Sequence, residues 1–529
     1  MRAPRRSLRW MALLAPLLLC AVLSVPDAEA RPGGGHSFSG SSSRGSSGSR
    51  GSSGGRSWSS SSSSTRYSSG TSGVVYSTGG SFSVLPFLVL ILLVAIAIIV
   101  MRASQNEPED WASSPPPDYR PPPRPLGSLR NKLAKLRTVG ARNSDGHMEP
   151  FDPDFSVILF EDFLSALYAR VHTERGAGRL DTMSAYLSEA AMEHFARMGE
   201  VMQVKAVVVG ALHYLSVSDL RPESQVVIVK VRFEANYTEV IDGERDQSWY
   251  VAEEWTLERA TTARSRPPAE ARVFKCPNCG AALDAMQGYT CSYCERIVNT
   301  GEFDWVVTQV REEAREARGP QLTGTTEEEG TQLRTLVDPS AREGLREIMS
   351  DDGDLSLTSL RQRVQFIFDE IQIAWSELMW ERSRPCVSDN LFQTQLYWMN
   401  AYRAAGLRNI SENARITRTE LVRVTSDRYY HAVTFRVFAT GLDYTVREAN
   451  RQQVVGGSRT RERVYSEYWT LIRGVGVKGV PADSRYCPSC GAPLSINMAG
   501  HCTHCQARVS SGEFDWVLSR IEQDEVYQG

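Results

Sequence analysis

The sequence predicts an α+β protein in which one layout, helices followed by a run of antiparallel strands, occurs twice. Each copy is closed by a small four-cysteine zinc ribbon, and one transmembrane helix precedes both. Three observations carry this reading. Eight of the ten cysteines fall into two sets of identical spacing. Trp255-Thr256-Leu257, late in the first stretch, returns as Trp469-Thr470-Leu471 late in the second, with Glu253 matched by Glu467. Residues 84–102 form an apolar run that meets its first charge at Arg102.

The chain opens as a secretory signal peptide over residues 1–30. Arg2, Arg5, Arg6 and Arg9 precede an apolar core at 11–25, which includes Cys20. Ala28-Glu29-Ala30 then offers the small residues a signal peptidase accepts. Residues 31–83 are Gly/Ser-rich with scattered Arg44, Arg50, Arg56 and Arg66. They have almost nothing to bury and are expected to be disordered. The run at 84–102 is long enough to cross a bilayer as a helix, and Pro86 falls in its first turn, where a missing N–H costs little. A cleaved signal leaves the Gly/Ser segment outside the cytoplasm and everything after Arg102 inside; an uncleaved one gives a two-helix hairpin with the same C-terminal placement. Residues 103–150 read as a Pro-rich and basic linker, stiffened by Pro115-Pro116-Pro117 and Pro121-Pro122-Pro123. Near its end Leu129, Leu133 and Leu136 recur among basic residues, which suits either a short helix on anionic lipid or a solvated basic linker. A formal net charge of -3 points away from nucleic acid as a partner.

The first globular stretch spans 151–265. Phe160, Phe163, Leu164, Leu167, Tyr168 and Val171 follow helical spacing, and a second helix is expected over 181–198 with Met183, Leu187 and Phe195 inward. Val227, Val229, Val231, Phe233 and Ala235 alternate with mostly polar residues, so one face of that strand meets a core. Asp242-Gly243 is a hairpin turn into a strand at 248–259. Residues 311–350, charged and Gly-containing, read as a linker with some helix at its start. The layout then recurs over 355–475. Val364, Ile367, Phe368, Ile371, Trp375 and Leu378 form the helical stripe; a second helix is expected at 390–405, and strands at 414–425, 430–446 and 462–473. A repeat this long is domain duplication rather than a solenoid.

The cysteine sets sit in ribbons at 272–310 and 484–522. Cys276 and Cys279 precede Cys291 and Cys294; Cys487 and Cys490 precede Cys502 and Cys505; eleven residues separate the pairs each time. Two residues between cysteines let a tight turn aim both thiolates at one point, and zinc takes four such ligands in a tetrahedron. Redox pairs or disulfides are the competing chemistry. Matched sets of four on the reducing side of a membrane favour two structural zinc ions. His501 and His504 are left out of the ligand set, because Thr290 and Tyr293 stand at those places in the first ribbon. Gly280 and Gly491 follow the first knuckle, where positive φ is often needed. Both ribbons end in Gly-Glu-Phe-Asp-Trp-Val, and Phe303, Trp305, Phe514 and Trp516 are read as aromatic anchors that dock ribbon to domain.

No catalytic motif is evident: there is no phosphate-binding Gly loop, no HExxH and no recognisable Ser/His/Asp set. Glu253 and Glu467 are the residues an enzyme reading would use as acid or base, provided that they face a pocket holding a second polar group. Tyr397, Trp398 and Tyr402 either add to the core of the second copy or form an exposed patch that would make it the main binding copy.

Residues 380–407, WERSRPCVSDNLFQTQLYWMNAYRAAGL, resemble the helical start of bacterial Tim44-like domain proteins. LDTMSAYLS at 180–188 is similar but shorter, and strands ending in YWTLIR fit the same domain. The resemblance covers most of 150–310 and 355–525. It implies two cone-shaped α+β domains similar to the nuclear transport factor fold, each with a curved sheet and a pocket. A mitochondrial relative is a peripheral inner-membrane protein that recruits a chaperone motor for protein import and binds cardiolipin. This chain departs in being duplicated, in carrying ribbons and in having its own membrane helix. The expectation is a single-pass protein of the bacterial inner membrane, its duplicated domains in the cytoplasm, acting as a non-enzymatic scaffold for a protein or lipid partner. The alternative is an enzyme or small-ligand sensor using the cone pocket.

Overall fold

The computed structural model describes residues 128–529, apart from 143–144, 244, 321, 323–329, 482–485, 498–499 and 525. The expected signal peptide at 1–30, the Gly/Ser-rich residues 31–83, the apolar run at 84–102 and the Pro-rich stretch at 103–127 lie outside the described residues. Among the described residues no helix is long and apolar enough to cross a membrane.

Two halves follow one another. The first begins with α1 (Leu129–Ala134) and a short antiparallel pair, β1 (Gly140–Arg142) and β2 (Met148–Pro150). The long helix α2 (Val157–Gly176), a 3-10 turn at Leu180–Met183 and α3 (Glu189–Arg197) come next. A sheet follows, of β3 (Gln203–Val217), β4 (Val226–Val240) and β5 (Asp246–Ala260). After the cysteine-containing excursion with its two-residue strands β6 (Met286–Gln287) and β7 (Thr290–Cys291), β8 (Val306–Glu316) returns to the edge of that sheet. The second half has α4 (Ala341–Asp351), α5 (Leu357–Ser376), a 3-10 turn at Trp380–Ser383 and α6 (Asp389–Ala405). Its sheet contains β9 (Leu407–Ser426), β10 (Tyr430–Arg447), β11 (Asn450–Gly474) and, after the second excursion, β12 (Val517–Gln523). Strand order is sequential and antiparallel in both sheets.

The helical stripes and the alternating strand do what their spacing implies. Leu164, Leu167, Tyr168 and Val171 pack on Val227, Val229, Val231 and Phe233 in one core; Val364, Ile367, Phe368 and Ile371 pack on Val433, Phe435 and Val437 in the other. Serines start the long helices: the Leu159 N–H donates to Ser156 Oγ, and Ser356 forms a reciprocal capping box with Ser359.

Several expectations are corrected. The stretch 128–150, read as part of the linker, is folded: Leu133 and Leu136 are fully buried in the first core, so α1 lies neither on lipid nor in solvent. Its three leucines sufficed because a seat for them exists on a neighbouring core, which sequence spacing cannot reveal. The 311–350 linker is also partly folded. Its start continues β8, paired with β5, and its end is α4, whose Leu345 and Ile348 join the second core. The helix expected over 181–198 breaks between a 3-10 turn and α3. There the chain crosses the sheet edge: the Ser188 N–H donates to the Val307 carbonyl and the Val307 N–H to Tyr186. Strands β9 and β11 run well beyond 414–425 and 462–473, as a polar hairpin arm without apolar alternation.

Both halves contain the same buried fastening. Arg259 donates to Asp152 at 2.8 Å and lies 4.9 Å from the Trp305 ring; Arg473 donates to Asp352 at 2.7 Å and lies 4.7 Å from the Trp516 ring. Burial alone would raise the Asp352 carboxyl, but Arg473 and the Gly479 N–H outweigh it and hold it below the ordinary range. Arg473→Met should therefore cost about 3–5 kcal/mol by stranding a buried carboxylate. Adding Asp352→Asn should recover much of that loss, as read from urea unfolding of the two variants beside the parent.

Candidate metal centres

Each cysteine set is held by two knuckles. In the first, the Gly280 N–H donates to the Cys276 carbonyl and the Cys276 N–H to Ala281. In the second, Gly491 and Ala492 play the same parts toward Cys487. Gly280 and Gly491 have φ of 76° and 70°, the left-handed turn for which glycine was expected. The second knuckle of each set places Glu295 and Gln506 in the same region, at φ 55° and 62°. A strained non-glycine at matched places marks a turn that the ligands, rather than the local sequence, require.

The turns converge all eight thiols as the spacing implied. Cys276, Cys279, Cys291 and Cys294 form one cluster and Cys487, Cys490, Cys502 and Cys505 the other, with all sulfurs of a set within 4.8 Å of one another. Cys276 and Cys294 Sγ are 3.8 Å apart, as are Cys279 and Cys291, and Cys487 and Cys505. The edge of a sulfur tetrahedron around zinc, at a Zn–S bond of about 2.3 Å, is about 3.8 Å. The donor set therefore fits a metal ion such as zinc. The nine cysteines among the described residues are unbridged, and Cys386 is buried alone in the second core.

The aromatic anchors behave unequally. Trp305 packs 4.7 Å from Phe160 and Trp516 joins the second core, both buried; Phe303 is only partly buried against the first core. Tyr186 ties the first ribbon further, donating its hydroxyl proton to the Lys275 carbonyl and accepting from Arg266.

The paired glutamates are occupied within the core. Glu253 accepts from Trp255 Nε1 at 2.8 Å and lies 3.4 Å from His172 Nε2; Glu467 accepts from Trp469 Nε1 at 2.8 Å and from Gln523 at 3.3 Å. Both are buried. Burial would raise Glu253, but His172 and the indole N–H hold it below the ordinary range. Neither glutamate lines the cavity of about 240 Å³ that the structure contains. The condition set for the enzyme reading, a glutamate facing a pocket, is thus not met there. Tyr397, Trp398 and Tyr402 do not make an exposed patch either. Trp398 and Tyr402 are buried in the second core, and Tyr397 packs partly buried against it. Helix α6 lies against β3, β9 and β12, so it packs on both halves.

What sequence reading missed is that contact between halves. Leu159 and Ala271 share an apolar cluster with Tyr430, Ala432, Ile472 and Val517. Above it Glu161 accepts from Arg130 at 2.8 Å and pairs with Arg520 of β12, while Arg130 also reaches Glu522 at 3.0 Å. Burial favours a neutral Glu161, but the two guanidiniums outweigh it and hold the carboxyl low. No spacing rule links Arg130 to Glu522.

Residues 341–481 match the Tim44-like domain family. The matched stretch runs from the start of α4 to just beyond β11, so this Tim44-like domain includes a helix that the sequence reading had assigned to the linker. A search of curated proteins finds no match.

Purified full-length chain should contain close to two zinc ions, measured by elemental analysis. Cys276→Ser should lose one and Cys487→Ser the other, each lowering the melting temperature mainly of its own half. Absence of metal together with a thiol count showing disulfides would contradict this assignment.

Proposed function

We propose that this chain is a membrane-anchored, non-enzymatic binding protein with two Tim44-like domains, each fastened to a structural zinc ribbon. The observation that carries the reading is the recurrence, outside the matched stretch, of the second half's own framework. Asp152, Arg259 and Trp305 repeat Asp352, Arg473 and Trp516; Glu253 and Trp255 repeat Glu467 and Trp469; strand order repeats as well. This supports taking 151–265 as a second Tim44-like domain and the whole as a duplication. Cysteine-only coordination closes a zinc ion to substrate, which supports a structural role for both ions.

The apolar run at 84–102 supplies the anchor in this proposal, in a bacterial inner membrane, with the domains facing the cytoplasm. Membrane-associated translocation work, with a protein or lipid partner, is the role the Tim44-like match suggests. Catalysis through Glu253 or Glu467 gains no support from their surroundings.

Protease added to intact cells should cut within 31–83 and leave a fragment containing 128–529 whole; digestion of that fragment would reverse the topology. Photo-crosslinkers placed on the full chain in native membranes should trap a membrane protein or a lipid. Turnover of a small substrate that depends on Glu253 or Glu467 would replace the binding reading with an enzymatic one.

A further inference from the structure

The cavity of about 240 Å³ lies in the seam, walled by α1, α2 and β3 of the first half and by α6 and β12 of the second. It is distinct from the interior of either domain and from both cysteine clusters. Four carboxylates line it: Glu161, Asp162, Glu234 and Glu522. Three already hold cations. Glu161 has Arg130 and Arg520, Glu522 has Arg130, and Glu234 has Arg232 with His213 at 3.3 Å. Asp162 differs: its hydrogen-bond donor is the neutral amide of Asn390. The guanidiniums that reach it through space, Arg272 and Arg508, are both bound to Asp389.

The rest of the lining narrows the chemistry. Ile158, Val209 and Leu391 give an apolar wall beside Asp162. Gln395, also on the lining, is buried, and its Oε1 has no hydrogen-bond partner among the described residues. An unmatched carboxylate, a free acceptor and an apolar wall together suit an ammonium group on a short hydrocarbon body. An anion would have to break the Glu161 pairs to reach Arg130 or Arg520. A bare metal ion would find a single unpaired carboxylate and no use for the apolar wall.

We propose that the seam cavity binds a small organic amine as its ammonium ion, with Asp162 as counter-ion. The volume accommodates a ligand of on the order of ten non-hydrogen atoms. Because the walls come from both halves, the ligand bridges them, and its binding opposes their separation. Burial pushes the Asp162 carboxyl up to about 6, with Glu161 and Asp389 raising it and Arg272 and Arg508 lowering it. Below that pH the empty carboxyl holds a proton that an ammonium ion must displace; above it the carboxylate is ionised and ready to pair.

Calorimetric titration of the full-length chain in detergent, at about pH 7.5, with hexylamine, hexanol and hexanoate tests the proposal. Hexylamine should bind saturably, and hexanol and hexanoate should bind at least about tenfold more weakly. Asp162→Asn should lose about tenfold in hexylamine affinity while melting no lower than the parent. Val209→Phe, which fills the cavity and leaves Asp162 in place, should lose hexylamine binding too, and it decides the matter if Asp162→Asn fails to fold. Equal binding of the three probes, preference for hexanoate, no saturable binding, or undiminished binding by both variants would each overturn it.

Discussion

A buried carboxylate and a buried guanidinium facing one tryptophan hold each half of this molecule together. Removing two charges from water costs several kcal/mol per ion, and their attraction offsets this only when the remaining hydrogen-bonding positions are also filled. Here they are. Ser265 Oγ donates to Asp152 and accepts from Arg259, while the Gly479 N–H donates to Asp352 and the Gly479 carbonyl accepts from Arg473. The tryptophan face covers each arginine and excludes water. Three places distant in sequence meet at this point: the approach to the long helix, the end of the third strand and the return from the ribbon. The ribbon excursion must therefore come back to its own sheet, and its tryptophan is seated over a buried ion pair of the domain rather than held by area alone.

Around this common frame the two interiors diverge. Glu253 lies beside His172, with Tyr168 tilted against that ring at 4.5 Å and Tyr237 stacked on it at 4.9 Å. Counting along the matched helix and strands places Gln372, Phe368 and Gly441 at the corresponding positions around Glu467. The carboxylate and its indole partner persist, so their shared task is structural: burying an indole N–H without an acceptor is costly. The histidine and tyrosines are particular to the first half. The exposed aromatic patch that would have made the second half the binding copy does not exist, because α6 spends those side chains on packing.

Much of this was legible. Period-3.6 stripes and one clean period-two strand located α2, α5 and β4, because each has one face on a core and its residues record that face. The eight clustered cysteines were readable because each knuckle is set by residues a few places apart. The repeated Glu-x-Trp was visible because both members of the bond are two residues apart. What escaped was everything set by partners far along the chain. Leu133 and Leu136 look like any three-leucine segment until a seat for them is known. The Arg130–Glu161–Arg520 bridge joins residues with no local relation, and residues 450–461 of β11 carry arginines where alternation would have announced a strand.

These same distant contacts decide how the two halves behave. Two copies joined by a flexible linker would behave as separate beads, each free to take its own partner. In this structure α1 packs in the first core while its Arg130 reaches Glu522, α6 lies against the first sheet as well as its own, and Leu159 shares a cluster with Tyr430 and Val517. A fragment starting at residue 150 would lose α1 and expose the surface that buries Leu133 and Leu136. One ending before α4 would leave β3 without α6, whose Thr394 donates to the Val209 carbonyl. The two halves are thus a single mechanical unit, and within it Gly529 lies beside Ser128. Whatever this protein grips, it presents a seam as well as two domains. Any ligand or partner that binds across the seam acts on both halves at once, because neither can move without disturbing the charges that Glu161 holds in place.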